Sequence, residues 1–257
     1  MTKLINFLLP ILLLIFSTAY GTYDKSFNQC KNVFFNGMVP DTFDDSVNLC
    51  KDTYLAISYD KYMLTPSWVA YYLTPNEEYK DKGGRLSFKE DPDLKDMSIN
   101  QAPVESKTFS ETMNRGHNCP SRAMSWSKDV QKYTYYMSNV APQDGNFNQH
   151  SWEMLEENVF KWITTKNLSV YIITGVIFSD RRRPVRLDDN IGKPNYFFKV
   201  MCDGVNKESV GFYGENNNGG PQTGILRTVS EVSEKLGLNL IDNKCNIDNI
   251  NKTHWWD

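Results

Sequence analysis

The stretch SNVAPQDGNFNQHSWEMLE, residues 138–156, joins a predicted strand to a predicted helix. The aromatic residues 133–137 just before it predict a strand that ends at Asn139, and Pro142 is expected to stop regular structure. From about Gln149, four large apolar residues recur at helical spacing: Trp152, Leu155, Val159 and Trp162. This period predicts an amphipathic helix of roughly three turns.

The rest of the chain has strand signals before and after this stretch. Four segments have the β-branched and aromatic composition of strands: residues 54–59, 66–73, 169–178 and 196–201. Residues 228–236 predict a second helix, whereas residues 22–50 and 75–112 are rich in loops and turns. Strands with segregated helices predict an α+β fold with a mainly antiparallel sheet flanked by helices.

The first residues have the pattern of a secretory signal peptide. Lys3 precedes the apolar segment 4–16, and small residues up to Gly21 provide a cleavage site. The apolar run has about 13 residues, short of the ~20 that a membrane-spanning helix needs. We therefore predict a signal peptide at residues 1–21, a single domain at residues 22–257, and a secreted protein without a membrane anchor.

Composition narrows the class of protein. The 257 residues include 14 Tyr, 14 Phe and 6 Trp, enough to build a core and to exclude a disordered chain. The 28 basic and 31 acidic residues give a formal charge of −3. A protein that only binds nucleic acid is usually basic, so this balance argues weakly against a passive binder and leaves an enzyme open.

The cysteines and glycosylation sequons fit an oxidising, extracellular setting. There are five cysteines, and their order in the chain predicts the disulfides Cys30–Cys50 and Cys202–Cys245, with Cys119 left unpaired. Two sequons begin at Asn167 and Asn251 and predict a glycoprotein.

One of the three histidines has a chemically suggestive setting. His117 closes the tetrapeptide Asn114–His117, in which Arg115 suits a phosphate and His117 suits proton abstraction near neutral pH. The tetrapeptide alone is a weak signal. His150, at the predicted helix start, and His254, in a tail that is expected to be exposed, are expected to have no role in chemistry.

Three polar residues downstream of His117 favour a hard divalent cation. Asn139, Asn148 and Glu156 offer amide and carboxylate oxygens, which suit Mg²⁺ rather than zinc. Asn148 and Glu156 are eight residues apart, about 12 Å along a helix. We therefore expect Asn148 to contact the metal directly and Glu156 to reach it through a water molecule. The alternatives are a helix N-cap for Asn148 and a solvated surface position for Glu156.

The order and spacing of these motifs resemble the DNA/RNA non-specific endonuclease family, the ββα-metal (His-Me finger) nucleases. The matching segments are Asn114–His117 and residues 138–143, 147–149 and 152–156, with further similarity at 54–59, 67–73 and 173–175. The resemblance implies that fold for most of the chain. It also implies hydrolysis of phosphodiester bonds in DNA, RNA or both, with little sequence specificity and with 5′-phosphate products.

The resemblance further implies a role for each matched residue. His117 would be the general base, Arg115 would bind the phosphate, and Asn139 would support the site through hydrogen bonds. Asn148 would bind Mg²⁺, or alternatively Mn²⁺, and Glu156 would hold water on that ion. These implied roles define a metal-dependent hydrolase.

Three features leave alternatives open. A second family arginine matches Arg85 loosely, and Asn114 stands where the family usually has Asp. The arginine-rich residues 181–186 could guide the phosphate backbone or form a solvated loop opposed by Asp188 and Asp189. Because Asn114 lacks a charge, the alternative to an active nuclease is a catalytically weakened, secreted relative that binds nucleic acid.

Overall fold

The computed structural model describes residues 27–79, 86–217 and 226–256 and has nine strands within them. In chain order they are β1 (Ser46–Lys51), β2 (Leu55–Asp60), β3 (Thr65–Leu73), β4 (Asn114–His117), β5 (Val140–Gln143), β6 (Val170–Ile177), β7 (Tyr196–Asp203), β8 (Ser209–Glu215) and β9 (Leu226–Arg227). Seven of them form one antiparallel sheet in the order β1-β2-β3-β6-β7-β8-β9. The other two, β4 and β5, form a separate antiparallel ribbon.

Helices of several types connect these strands. The α-helices are α1 (Pro92–Asp96), α2 (Lys128–Gln131), α3 (Gly145–Phe147), α4 (Glu153–Lys166), α5 (Val229–Leu236) and α6 (Lys252–Trp256). Short 3₁₀ helices occupy Asn28–Val33, Phe35–Gly37, Ser121–Met124, Lys132–Tyr135, Met137–Asn139 and Asp188–Asn190, and π-turns occupy Thr108–Thr112 and Asn148–Trp152. Because α3, the second π-turn and α4 follow one another without a break, we call residues 145–166 the site helix.

The predicted α+β fold with an antiparallel sheet is confirmed. The four segments that were predicted as strands from their composition form β2, β3, β6 and β7, in the middle of the sheet. The site helix buries the predicted apolar face, including Trp152, Leu155, Val159 and Trp162. The predicted second helix is α5, which has a capping box between Thr228 and Glu231. Strand propensity and helical period therefore locate most of the core.

Two expectations around residues 133–142 are wrong. Residues 132–135 form a 3₁₀ helix instead of a strand, because Thr134 and Tyr135 are buried side by side and the Thr134 hydroxyl donates to the Gln131 carbonyl. Pro142 does not stop regular structure, since it lies in β5 opposite Arg115. Proline is tolerated there because β5 is an edge strand of a two-stranded ribbon.

The main sheet has a hydrophobic layer on each face. On one face, side chains such as Ile57 and Val69 join a cluster with Leu155 and Val159 of the site helix. On the other face, Trp68 and its neighbours join a cluster with the N-terminal 3₁₀ helices and α5. Each large apolar side chain buried in these layers contributes about 1.5–3 kcal/mol, so the sheet rigidly positions the site helix.

The covalent links match the spacing argument. Cys30–Cys50 joins the first 3₁₀ helix to β1, Cys202–Cys245 joins β7 to the C-terminal segment, and Cys119 is a buried free thiol. The signal peptide predicted at residues 1–21 lies outside the described residues, and the domain at 22–257 stays a prediction. In the described part of the chain, we find no helix with the length and apolar character needed to span a membrane.

Candidate active site

The β4–β5 ribbon carries the tetrapeptide Asn114–His117 alongside the start of the site helix. Gly116 lies opposite Ala141, and a Cβ atom at position 116 would come within 2.4 Å of Gln143 Oε1 and 3.0 Å of the Ala141 carbonyl oxygen. A larger residue therefore cannot occupy position 116 without moving β5. The glycine allows close packing of the two strands, and this packing aligns Arg115 and His117 on the ribbon.

The imidazole of His117 lies between two aromatic rings. Its centroid is 5.1 Å from that of Phe88 and 5.1 Å from that of Tyr135, which meets it edge-on. Both aromatic residues come from segments outside the tetrapeptide, and Tyr135 is buried. This packing restricts the rotation of the imidazole and fixes the direction in which its ring nitrogens point.

A cleft of about 430 Å³ brings together the residue predicted as the general base and the two residues predicted to hold the metal ion. His117, Asn148 and Glu156 all line it. His117 comes from β4, whereas Asn148 and Glu156 come from the site helix. The strand–strand–helix unit thus places an imidazole, an amide and a carboxylate around one space.

Asn148 lies one turn inside the site helix, so its alternative as the N-cap is wrong. The N-cap is Asp144, whose carboxylate accepts hydrogen bonds from the backbone of Asn146 and Phe147 at 3.0 and 3.1 Å. The backbone N–H of Asn148 donates to the Asp144 carbonyl at 2.9 Å. Among the described residues, nothing hydrogen-bonds to its side-chain amide, so the Asn148 oxygen is available to a cation in the cleft.

Glu156 is set above a buried lysine and is not a freely solvated residue. Its side chain is 22% exposed, and its Oε1 atom lies 3.4 Å from Nζ of Lys199, which is 1% exposed. Burial raises the pKa of the Glu156 carboxyl, and the Lys199 ammonium opposes that rise. Lys199 also lies 5.3 Å from the Trp152 ring centroid.

Sequence reasoning did not identify Lys199 as part of this site. A lysine within the apolar strand residues 196–201 is a signal that could have found it, because a buried charge normally needs a partner. Arg122, Glu153 and Glu157 also line the cleft and were not predicted. Together with Glu156, these three residues supply the carboxylate and guanidinium groups that line the cleft within the described part of the chain.

Arg115 lies beside His117 but does not line the cleft. Its Nη2 atom donates to the Val104 carbonyl at 2.6 Å, and its guanidinium carbon lies 5.5 Å from the Phe88 ring centroid and 5.4 Å from that of Phe109. Its Nε atom is buried and meets no acceptor among the described residues. Phe88 therefore contacts both Arg115 and His117.

Asn139 supports the site from within the core and does not reach the cleft. It is fully buried, its Oδ1 accepts from the Cys119 N–H at 2.9 Å, and its Nδ2 donates to the carbonyls of Cys119 and Thr134 at 3.0 and 2.8 Å. These bonds hold the backbone two residues after His117. The side-chain hydrogen bonds of Asn139 are therefore made to the loop that follows His117 and to Thr134.

The remaining candidates have other positions. Arg85 lies outside the described residues. In the arginine-rich segment, Arg181 pairs with buried Asp60, and Arg186 donates to the carbonyls of Tyr62 and Asn190. Two of the four arginines there are therefore engaged in structural contacts, while the side chains of residues 182 and 183 are exposed.

The two other histidines lie away from the cleft. His150 is exposed, with Nδ1 2.9 Å from the Asn146 carbonyl oxygen. His254 is only 14% exposed and lies 3.2 Å from buried Asp203, so its expected position in an exposed tail is wrong. The contact with Asp203 ties the last helix to the end of β7.

The donor set of the cleft fits a hard divalent cation that keeps much of its water. No cluster of three or more His, Cys, Asp or Glu residues is present in the described ranges, so a cage made entirely of protein ligands is absent there. Asn148 and Glu156 instead offer one available amide oxygen and one partly exposed carboxylate. Mg²⁺ in proteins is usually coordinated by a few protein oxygens and by several water molecules.

Comparison with known proteins gives a consistent result. The model of the family described as DNA/RNA non-specific endonuclease matches residues 36–252. Nuclease C1 of Cunninghamella echinulata var. echinulata is 29% identical over 204 residues, covering 72% of this chain and 79% of the relative. The nuclease of Serratia marcescens is 26% identical and covers 67% and 66%.

Two further similarities involve endonuclease G. The human mitochondrial endonuclease G is 29% identical over 157 residues, which is 56% of this chain but only 51% of that protein. The solved structure of the EndoG/EndoGI complex superimposes with a TM-score of 0.62 at 22% identity, covering 84% of this chain and 93% of the other. At that identity the structural likeness concerns the fold.

Proposed function

The chain belongs to the DNA/RNA non-specific endonuclease family, and we propose that it is a secreted, metal-dependent enzyme of that family. It hydrolyses phosphodiester bonds in DNA, RNA or both with little sequence preference. The observation that carries this proposal is the cleft shared by His117, Asn148 and Glu156. An imidazole and two oxygen ligands around one space provide the groups needed to activate water next to a phosphate.

In the proposed reaction, a water molecule attacks phosphorus and the bond from phosphorus to the 3′ oxygen breaks. His117 takes the proton of the attacking water, and the leaving 3′ oxygen acquires a proton from solvent. The products are a 5′-phosphate and a 3′-hydroxyl. Phe88 and Tyr135 support this step because they hold the imidazole plane in one orientation.

Asn148 and Glu156 would hold Mg²⁺, or alternatively Mn²⁺, with Glu156 acting through a water molecule. When bound, this ion supplies positive charge to the phosphate and the leaving oxygen. Lys199 supports the role of Glu156, because its ammonium opposes the effect of burial and favours the ionised carboxylate. We assign the phosphate contact predicted from sequence to Arg115, with Arg85 as its second candidate.

The same cleft supports weak sequence preference. Its catalytic groups act on a phosphate and on water, and phosphate contacts carry no information about the base. The substrate class is therefore the nucleic-acid backbone, and this assignment does not choose between DNA and RNA.

Secretion is supported by the two disulfides and by the exposed sequons. Disulfides persist in oxidising compartments, and both Asn167 and Asn251 are exposed at the surface where a glycan could be attached. The N-terminal apolar segment supplies the export signal in this proposal. Some relatives, such as human endonuclease G, are named as mitochondrial proteins, so location varies among the similar nucleases.

The proposal is tested by incubating the purified protein with plasmid DNA and with RNA, in Mg²⁺ or in EDTA. We expect degradation only with the metal, and His117→Ala should lower the rate by ~10² or more because the general base is lost. His150→Ala is the matched control, since His150 is exposed and does not line the cleft.

Intact substrate with the wild-type protein in Mg²⁺ would contradict the assignment of an enzyme. Binding without cleavage, with an affinity that falls steeply as salt rises, would instead support the weakened relative. Asn114 is the observation that favours this second candidate, because an amide stands where the family usually has a carboxylate. Its side chain lies near Gly145, at the start of the site helix.

A further inference from the structure

The cleft has an unusual charge balance for a site that must receive a polyanion. Among its described lining residues are three carboxylates, Glu153, Glu156 and Glu157, and one guanidinium, that of Arg122. Lys199 cannot contact a phosphate in the cleft, because its side chain is 1% exposed beneath Glu156. Arg122 is thus the cation through which the described wall of the cleft can contact a phosphate directly.

Contacts on several sides hold the Arg122 side chain in place. Its Nε donates to the Tyr79 carbonyl at 3.1 Å, and its guanidinium carbon lies 4.5 Å from the Phe160 ring centroid. Its Nη1 donates to both carboxylate oxygens of Glu157, at 2.7 and 2.8 Å. A guanidinium held in this way loses less freedom when it binds an anion than a lysine on the open surface does.

Arg122 keeps the capacity to bind another anion. Its side chain is 36% exposed, and within the described residues its Nη2 atom donates to no acceptor. Glu157 is 62% exposed, so this ion pair is largely solvated and contributes little to stability. A phosphate presents oxygens to a guanidinium much as a carboxylate does, and can therefore exchange with Glu157.

We propose that Arg122 binds a substrate phosphate adjacent to the scissile one, and that Glu157 holds the guanidinium in position while the cleft is empty. This inference rests on the proposed function, because it assumes a nucleic-acid substrate. Arg122 follows His117 by five residues, at the start of the 3₁₀ helix Ser121–Met124, so one loop carries both the base and the phosphate contact. Binding a phosphate there separates Arg122 from Glu157.

The test is equilibrium binding in the His117→Ala background, in which cleavage is expected to be slower by ~10² or more. The probe is a fluorescein-labelled 20-base-pair DNA duplex, followed by anisotropy at several NaCl concentrations in Mg²⁺. Arg122→Gln should weaken binding about 5-fold or more and reduce the slope of log K against log salt by ~0.9, the value for one phosphate contact. Arg122→Lys should recover part of the affinity.

Glu157→Gln should tighten binding by a few-fold, because the guanidinium no longer has a competing carboxylate. Lys207→Gln, at an exposed turn outside the cleft, is the matched control and should leave the salt slope unchanged. Circular dichroism spectra establish that each variant is folded. If Arg122→Gln does not fold, Glu157→Gln decides, and unaltered affinity in that variant overturns the proposal.

Two failures can be told apart. If the wild-type protein neither cleaves nor binds nucleic acid, the proposed function fails. The other failure concerns Arg122 alone. The wild-type protein would cleave, but the folded double variant would bind the duplex with the same affinity and salt slope as His117→Ala, and only the role of Arg122 would be overturned.

Discussion

Asn139 shows how a single buried amide can support a proposed catalytic group, His117, that it does not touch. Its three side-chain hydrogen bonds tie the backbone of Cys119 to that of Thr134, close to His117 in sequence and to Tyr135 in the wall of the cleft. In a fully buried position each lost partner leaves a polar group unsatisfied. The residue therefore affects both stability and the geometry of the cleft.

At this scale we predict that Asn139→Ala lowers the free energy of unfolding by about 2–4 kcal/mol, because two backbone carbonyls and one N–H lose their partner. Urea denaturation followed by circular dichroism measures the change. Gln149→Ala, at an exposed amide of the site helix, is the control and should shift stability by less than about 0.5 kcal/mol. Equal urea midpoints for the two variants would show that the hydrogen bonds of Asn139 do not stabilise the fold.

The site helix depends on a junction with the main sheet as well as on its own apolar face. Asn216, at the end of β8, accepts from the Asp144 N–H at 2.7 Å and donates to the carbonyls of Pro142 and Pro194 at 3.0 Å each. It therefore links the end of β5, the N-cap of the site helix and the loop before β7. The hydrogen bonds of Asn216 therefore fix the position of the ribbon relative to the main sheet.

For this junction we predict that Asn216→Ala destabilises the protein by about 2–3 kcal/mol, since the three linked backbone groups lose a buried partner. Nuclease activity, measured at a temperature well below the melting temperature, should also fall, because the ribbon that carries His117 is no longer fixed to the sheet. Melting curves and initial rates on plasmid DNA measure the two effects. Asn217→Ala, at the exposed neighbouring position, should alter neither by a comparable amount.

The whole molecule is a sheet covered on both faces, and its core includes several tyrosine hydroxyls. Burial raises the pKa of Tyr59, Tyr71 and Tyr79 above the ordinary phenol value of about 10. All three tyrosines belong to the cluster on the face of the sheet that carries the site helix. Their ionisation is therefore coupled to unfolding of that layer.

The sign of this coupling gives a pH prediction. The unfolded state loses phenol protons near pH 10, whereas the folded state retains them, so stability is fully present below about pH 10 and falls as pH rises further. Urea denaturation from pH 8 to pH 11 should show this fall. Tyr71→Phe should reduce its steepness, and an unchanged profile would show that another group controls alkaline unfolding.

The central strands could be predicted because each is a mainly apolar run rich in β-branched and aromatic residues, as in 169–178 and 196–201. The edge strand β1 and the interior strand β8 were missed. β1 has the alternating burial expected of a half-exposed strand, and the residues Ser46–Lys51 contain that signal in weaker form. The ribbon strand β5 was missed because Pro142 suggested a break, and local propensity does not show that a position lies at an edge.

The sequence by itself determined the order of chemical groups from Asn114 to Glu156 and the apolar face of the site helix, and the cysteine spacing predicted a pairing that the structure confirms. These features depend on residue type and on spacing along the chain, both of which are visible before folding. Only the tertiary structure decided that Phe88 and Tyr135 enclose His117, that Lys199 underlies Glu156 and that Arg122 faces the cleft. These contacts join segments far apart in sequence, and their partners are selected by how the sheet, the ribbon and the site helix pack together.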